Sequence, residues 1–150
     1  MVFGPIRRAV QAGKFKLNVY VIDAAFGIGA TRGHWYMMDA VDGASSVWPM
    51  QIMWAERREC HDTWDYFYSR LVLACPALVL LPLLTISDKN PGIIEAVKKH
   101  LPNATHQTCG WHHAKQVGPK YGAKMKGYCW SFMRLPDNQP KEEQVREGGI

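Results

Sequence analysis

Short apolar runs and one longer helical repeat alternate along the first two thirds of the chain. Three apolar runs predict three strands, at residues 18–22, 34–41 and 47–54, and the first of them is rich in β-branched residues. The dipeptide Asp42-Gly43 lies between the second and third runs and is typical of a hairpin turn. Since proline cannot donate a hydrogen bond to a central ladder, Pro49 predicts that the third strand forms an edge of the sheet.

A helical repeat follows these three runs. Its apolar positions, spaced i, i+3, i+4 and i+7, are Trp64, Phe67, Tyr68 and Leu71. The spacing predicts an amphipathic helix with an aromatic face in the core, with Asp62 as its N-cap and Pro76 at its end. The apolar stretch at residues 71–86 is interrupted by prolines and is shorter than the roughly 18 residues of a membrane span, so we expect no membrane partner.

The next segment places a strand, a helix and a second strand in close succession. Residues 80–86 form an apolar run that predicts a buried strand, and Asp88 stands at its carboxyl end. Asn90 is a favourable N-cap and Pro91 suits the first position of a helix, which the apolar spacing extends to residue 101. A short extended segment at residues 104–108 then leads into a C-x-x-H sequence.

The predicted order of elements is therefore β-β-β-α-β-α-β-α. A crossover through a helix makes the fourth strand parallel to one of the first three. If the fourth strand lies beside the first, Asp23 and Asp88 project from the same end of neighbouring strands, roughly 5 Å apart. The expected fold is α/β, with a mixed five-stranded sheet in the order 3-2-1-4-5 and helices packed on it. This is the ribonuclease H-like arrangement.

Composition and charge narrow the function classes only slightly. The chain has 150 residues, of which 47% are hydrophobic, and this is enough for one domain with a real core. A formal net charge of +5 permits a nucleic-acid partner without requiring one. The four cysteines are widely spaced, with no C-x-x-C pair, so we expect an intracellular reducing compartment.

The chain divides into four predicted segments. Residues 1–17 form a basic N-terminal segment, and residues 18–117 form the folded core. A helical or irregular extension with interleaved lysine and aromatic residues occupies residues 118–133. Residues 134–150 are predicted to be a flexible polar tail.

Residues 18–117 resemble the transposase domain of Mutator-like elements (MULE). The resemblance rests on VIDAAF, on a hairpin containing WPM, on AE followed by W-x-x-F, and on the long stretch TISDKNPGIIEAVKKHLPNATHQTCGWH. By motif match, Asp23 resembles the first catalytic aspartate of that family and Asp88 the second. Cys109 and His112 match the C-x-x-H motif that lies near its active site. Glu56 and Trp64 match its acidic and tryptophan positions, and we expect both to be structural.

The resemblance implies a ribonuclease H-like fold and a three-carboxylate site that cuts transposon ends and joins them to target DNA. It also implies Mg²⁺ or Mn²⁺ bound by Asp23 and Asp88, a nuclear location and a homo-oligomer. The third carboxylate of the family is a glutamate on a later helix. The glutamates of the tail, Glu142, Glu143 and Glu147, have no pattern that places them in the site. We therefore expect a transposase core that is incomplete or inactive as it stands.

Two other functions remain open from the sequence. The first is a non-catalytic remnant of a transposase that binds DNA or protein. The second is a small zinc-binding protein with ligands drawn from His106, Cys109, His112, His113 and Cys129. Each candidate residue also has a simpler structural interpretation: Asp88 caps the turn before the helix, Cys109 is a buried apolar thiol, and His106 is a strand residue that faces solvent.

Overall fold

A computed structural model describes residues 2–13, 18–27 and 32–127. The chain divides into two units, Met1–Gln107 and Thr108–Ile150. The predicted tail at residues 134–150 and the glutamates within it lie outside the described residues. Among the helices of the described part, none is long and apolar enough to cross a membrane.

Five strands form one mixed sheet. They are β1 (Val19–Phe26), β2 (His34–Val41), β3 (Val47–Ala55), β4 (Leu84–Ser87) and β5 (Thr105–Thr108). Their spatial order is β3-β2-β1-β4-β5, which confirms the predicted order 3-2-1-4-5 and the edge position of β3. β1 and β2 pair antiparallel, as do β2 and β3, whereas β1 and β4 pair parallel. This is the topology expected of a ribonuclease H-like fold.

The described residues include four longer α-helices and one 3₁₀ helix. The helices are α1 (Gly4–Gln11), α2 (His61–Ala74), the 3₁₀ helix (Pro76–Leu80), α3 (Pro91–His100) and α4 (Gly110–Tyr121). From β1 onward the order matches the predicted β-β-β-α-β-α-β-α, and α1 precedes it. α2 and α3 pack against each other, and α1 contacts β3 and the 3₁₀ helix. α4 belongs to the second unit.

The core lies between α2 and one face of the sheet. The predicted aromatic face of α2 is confirmed, because Trp64, Phe67, Tyr68 and Leu71 are all fully buried. The Trp64 ring meets the Tyr36 ring of β2 edge-on, with ring centroids 4.9 Å apart. Edge-to-face contacts of this kind contribute about 0.5–1.5 kcal/mol beyond the stabilisation from the apolar area that the rings bury. Trp64 therefore holds the start of α2 firmly against the sheet.

Several predicted boundaries differ from those in the structure. β4 begins at Leu84 because residues 76–80 form a 3₁₀ helix, so the apolar run from residue 80 is only partly strand. β1 does not end at Asp23 but continues to Phe26, since its pairing with β2 extends to His34. The N-cap of α2 is Cys60, and Asp62 lies in the first turn.

Candidate functional site

The parallel pairing of β1 and β4 sets the relation between the two candidate aspartates. The last paired residues are Val21 and Ile86. Asp23 lies two residues further along β1, and Asp88 lies two residues after Ile86, just past the end of β4, so the two follow the last pair at matching positions. Neighbouring strands lie about 4.8 Å apart, so Val21 and Ile86 lie side by side and the two aspartates follow them at the same end of the sheet. Ile22 and Ala24 pack into the core, and Asp23 projects from the opposite face, where it is exposed.

The turn after β4 fixes the backbone and one carboxylate oxygen of Asp88. Asp88 Oδ1 accepts a 2.9 Å hydrogen bond from the backbone N–H of Asn90. Asn90 Oδ1 in turn accepts a 2.8 Å bond from the N–H of Gly92, which confirms Asn90 as the N-cap of α3. The N-cap role belongs to Asn90, while Asp88 orders the turn that precedes it.

His106 lies next to this turn. Its Nε2 is 2.8 Å from Ser87 Oγ, and Ser87 Oγ also donates to the carbonyl of Asp88 at 2.9 Å. Ser87 is buried and His106 is half-buried, so the interpretation of His106 as a solvent-facing strand residue is wrong. Burial lowers the pKa of the His106 imidazole, while the charge of Asp88 raises it and the charge of Lys98 lowers it.

The charges of Asp88 and Asp23 act on a third carboxylate, Glu59, to which no motif pointed. It lies in the loop between β3 and α2, and its Oε1 accepts a 3.0 Å hydrogen bond from Trp64 Nε1. Burial raises the pKa of the Glu59 carboxyl; the Trp64 bond opposes this, and the charges of Asp88 and Asp23 raise it further. Glu56, which the motif match singled out, is exposed. The useful signal was the placement of Glu59 five residues before the core tryptophan.

Cys109 and His112 belong to the second unit. Cys109 is the N-cap of α4, and its carbonyl accepts a 3.0 Å bond from the N–H of His113. Its thiol is free and half-buried rather than fully buried. His112 follows in the first turn, with its ring against Trp111 at a centroid distance of 4.8 Å. The pair thus sits at the N-terminal end of α4.

No ready-made metal cluster is present in the part of the chain that the structure describes, because no three of its histidines, cysteines, aspartates and glutamates are gathered closely enough for one ion. The described members of the proposed zinc set therefore form no such cluster. Cys129, its remaining member, lies outside the described residues. Asp23, Asp88 and Glu59 interact electrostatically, but their carboxylates lie further apart than the ligands of a single ion.

The model of the MULE transposase domain matches residues 19–116 of this chain. The chain belongs to the MULE transposase family. The match covers the whole sheet, Asp23, Asp88 and the C-x-x-H pair of this MULE domain. Transposases use divalent metal ions in general, and oxygen donors such as Asp23 and Asp88 are the type that Mg²⁺ and Mn²⁺ prefer.

A solved structure is also similar to this MULE domain. It is a chain from a cryo-electron microscopy structure of the simian T-cell lymphotropic virus intasome in complex with the PP2A regulatory subunit B56 gamma. The two chains are 13% identical, with a TM-score of 0.43. The alignment covers 87% of this chain and 46% of the other, so this chain spans about half the length of that one. No curated protein matches this chain.

Proposed function

We propose that this MULE domain is the DNA-cleaving and DNA-joining core of a transposase, and that Asp23 and Asp88 hold divalent metal ions there. The observation that supports the proposal is the parallel register of β1 and β4, in which Asp23 and Asp88 each follow the last paired residues, Val21 and Ile86, by two positions. In open α/β sheets, ligands bind outside the carboxyl ends of the strands. The Asp88 carboxylate stands at that end, and the substrate we propose is nuclear DNA.

The chemistry assigned to this centre is phosphodiester cleavage and transfer. When bound, Mg²⁺ or Mn²⁺ activates an attacking oxygen and stabilises the leaving oxygen. The protein's part is to hold the acidic ligands in place. The Asn90 N–H restrains one Asp88 oxygen, and the Ser87 hydroxyl ties the same turn to His106. We assign His106 to positioning, because its nearest polar partner is Ser87 rather than either aspartate.

The test is nicking of a supercoiled plasmid by the full 150-residue chain with Mn²⁺ or Mg²⁺. We expect cleavage that needs the metal and falls by at least about a hundredfold in Asp23→Asn and in Asp88→Asn. Asp62→Asn is the matched control, since Asp62 is an exposed aspartate in the first turn of α2. Equal cleavage by the wild type and both asparagine variants would overturn the proposal.

A second candidate function is DNA binding without cleavage. Residues 108–127, the described part of the second unit, contain no aspartate or glutamate. They carry the cations Lys115, Lys120, Lys124 and Lys126. The ammonium groups of Lys115 and Lys120 lie 4.7 and 5.2 Å from the ring centroids of Trp111 and Tyr121. Lysines beside exposed aromatic rings suit both the phosphates and the bases of DNA.

This second function has its own measurement. For duplex DNA, log K falls as log salt rises, and each phosphate contact makes this slope steeper by about 0.9. We expect the double variant Lys115→Gln/Lys120→Gln to have a slope that is shallower by about two. Arg70→Gln, a charge change on α2 in the first unit, should leave the slope unchanged. Salt-dependent binding by a chain that never nicks DNA would favour this second function over cleavage.

A further inference from the structure

A cavity of about 400 Å³ lies beside the edge strand β3, within the first unit. Small-molecule sites in proteins typically occupy about 300–1,000 Å³. The cavity is separate from the proposed metal centre, because neither candidate aspartate lines it. The residues that line it come from β3, α2 and the N-terminal segment, and they include Gln51, Met53, Tyr66, Arg70, Val2 and Arg7.

The elements around the cavity are attached to one another by hydrogen bonds. Val2 pairs with Gln51 in an antiparallel bridge, and the N–H of Phe3 donates to a carbonyl of β3 at 2.9 Å, so the start of the chain is bonded to β3. At the far end of α1, the side-chain amide of Gln11 donates to the carbonyl of Ala74 in α2 at 3.4 Å. The cavity is therefore built into the folded framework of this unit.

Gln51 contributes an unsatisfied acceptor to the lining of this cavity. The residue is only 2% exposed, and its Nε2 donates a 2.9 Å hydrogen bond to the carbonyl of Phe67 in α2, which fixes the orientation of the carboxamide. Oε1 of the same carboxamide is buried and has no hydrogen-bond partner among the described residues. A buried acceptor without a partner is unfavourable, so a ligand that brings an N–H group to Oε1 removes this cost.

Two guanidinium groups line the same cavity without acidic partners. Arg7 of α1 and Arg70 of α2 take part in none of the ion pairs among the described residues, and no aspartate or glutamate lines the cavity with them. A guanidinium group binds the oxygens of a phosphate or carboxylate through paired N–H groups. Two of them match a phosphate monoester, which carries a charge of about −1.5 to −2 at pH 7, better than a carboxylate with its single charge.

We infer that this cavity binds a nucleoside monophosphate. Arg7 and Arg70 take the phosphate, and Gln51 Oε1 accepts an N–H of the base. Tyr66 and Met53 supply an aromatic ring and a thioether, which pack well against a planar heterocycle. The ligand is a free nucleotide rather than duplex DNA, because an internal phosphate of DNA carries one charge and the N–H groups of paired bases are already engaged. The inference is independent of metal binding and of DNA cleavage, since it uses other residues.

The experiment is a calorimetric titration of the full 150-residue chain with adenosine 5′-monophosphate. We expect saturable binding by the wild type, and binding at least about tenfold weaker in Arg7→Gln and in Arg70→Gln. Both arginines are exposed, so neither substitution disturbs the core. Arg8→Gln is the matched control, because Arg8 is an exposed arginine of α1 that does not line the cavity, and it should bind as the wild type does. No saturable binding by the wild type, or equal binding by all four chains, would overturn the inference.

Three further ligands test the assignment of the two ends of the nucleotide. Adenosine and inorganic phosphate should each bind at least about tenfold more weakly than the nucleotide, because each lacks one of the two recognised groups. Gln51→Met should weaken binding of the nucleotide and leave binding of inorganic phosphate unchanged. Inorganic phosphate that binds as tightly as the nucleotide would overturn the assignment of the base, and so would displacement of the nucleotide by a DNA duplex without terminal phosphates, since the cavity would then be a contact for the DNA backbone.

A measurement on the wild type does not depend on whether Gln51→Met folds. The side-chain amide signals of Gln51 in a nuclear magnetic resonance spectrum should shift as the nucleotide is added, because its carboxamide gains a hydrogen bond. The side-chain amide of Asn103, which donates to the carbonyl of Val79 at 3.1 Å and does not line the cavity, is the control and should not shift. An unchanged Gln51 signal in protein that binds the nucleotide would overturn the inference.

Discussion

Ser87 Oγ and His106 Nε2 lie 2.8 Å apart, and this contact ties the end of β4 to β5 beside Asp88. Both residues are withdrawn from solvent, Ser87 almost completely. Burial disfavours the charged form of the imidazole, so the pKa of His106 lies below its ordinary value. The burial of His106 therefore makes the stability of the β4–β5 edge sensitive to pH.

We predict that protonation of His106 destabilises the folded chain. Because its folded pKa is lowered, the unfolded state binds the proton first, and stability falls as the pH drops below the unfolded value of about 6.5. His106→Asn should remove this contribution, so the wild type should lose more stability than the variant between pH 7 and pH 5. Urea unfolding at several pH values measures it.

The control for this experiment is His113→Asn, which alters an exposed histidine of α4. It should follow the wild-type pH dependence. Parallel curves for the wild type and His106→Asn would show that the imidazole is not held in its neutral form.

We predict that Gly92→Ala destabilises the chain even though alanine favours helices. The new methyl group would lie 3.1 Å from Trp64 Cδ1 and 3.3 Å from His61 Cα. It would also lie 3.1 Å from Asn90 Oδ1. The Trp64 ring is fully buried, His61 Cα is backbone and Asn90 Oδ1 is held by the Gly92 N–H, so none of the three can move freely. Overpacking of this kind costs about 1–3 kcal/mol, more than the gain of up to about 1 kcal/mol from replacing glycine in a helix. Chemical denaturation measures the difference.

Gly43→Ala is the matched substitution for Gly92→Ala. A methyl group on Gly43 meets nothing within 4 Å, so the free energy of unfolding should change little. If Gly92→Ala is as stable as Gly43→Ala, the start of α3 has room that the structure does not indicate. The contact between Trp64 and the Asp88 turn would then be loose.

Much of the sheet was predictable because its signals are local. The apolar runs, the hairpin dipeptide and Pro49 mark the first three strands, and the helix before β4 requires a parallel crossover. That Asp23 and Asp88 follow the same end of neighbouring parallel strands is predictable once β4 lies next to β1. Where β1 ends was not predictable, because its last three residues owe their strand conformation to pairing with β2.

The surroundings of the aspartates depend on contacts between distant residues. Glu56 and Glu59 lie three residues apart, and the structure separates them: Glu56 is exposed, whereas Glu59 is half-buried and accepts the hydrogen bond from Trp64. His106 lies in a four-residue strand with no apolar alternation, so its contact with Ser87 had no periodic signal. The 3₁₀ helix at Pro76–Leu80 is as apolar as a strand, and hydrophobicity alone does not separate the two.

We predict that a single carboxylate, Asp65, contributes an acid-sensitive link between α2 and α3. Its Oδ1 accepts bonds from Lys99 Nζ at 2.7 Å and from His100 Nε2 at 2.8 Å. The bonds from Lys99 and His100 hold the pKa of the Asp65 carboxyl below its usual range. A lowered folded pKa means that the stabilisation is present above the unfolded value of about 3.9 and is lost as the pH falls through the folded pKa.

Asp65→Asn should therefore be less stable than the wild type at pH 6, and the difference should shrink as the pH approaches 3. Thermal unfolding across this range measures the difference, and added salt should reduce it, because the Asp65 and Lys99 side chains are 37% and 63% exposed. Asp62→Asn changes the charge of the same helix outside the contact with Lys99 and His100. A stability difference between the wild type and Asp65→Asn that stays constant from pH 6 to pH 3 would mean that the Asp65 charge does not stabilise the contact of α2 with α3.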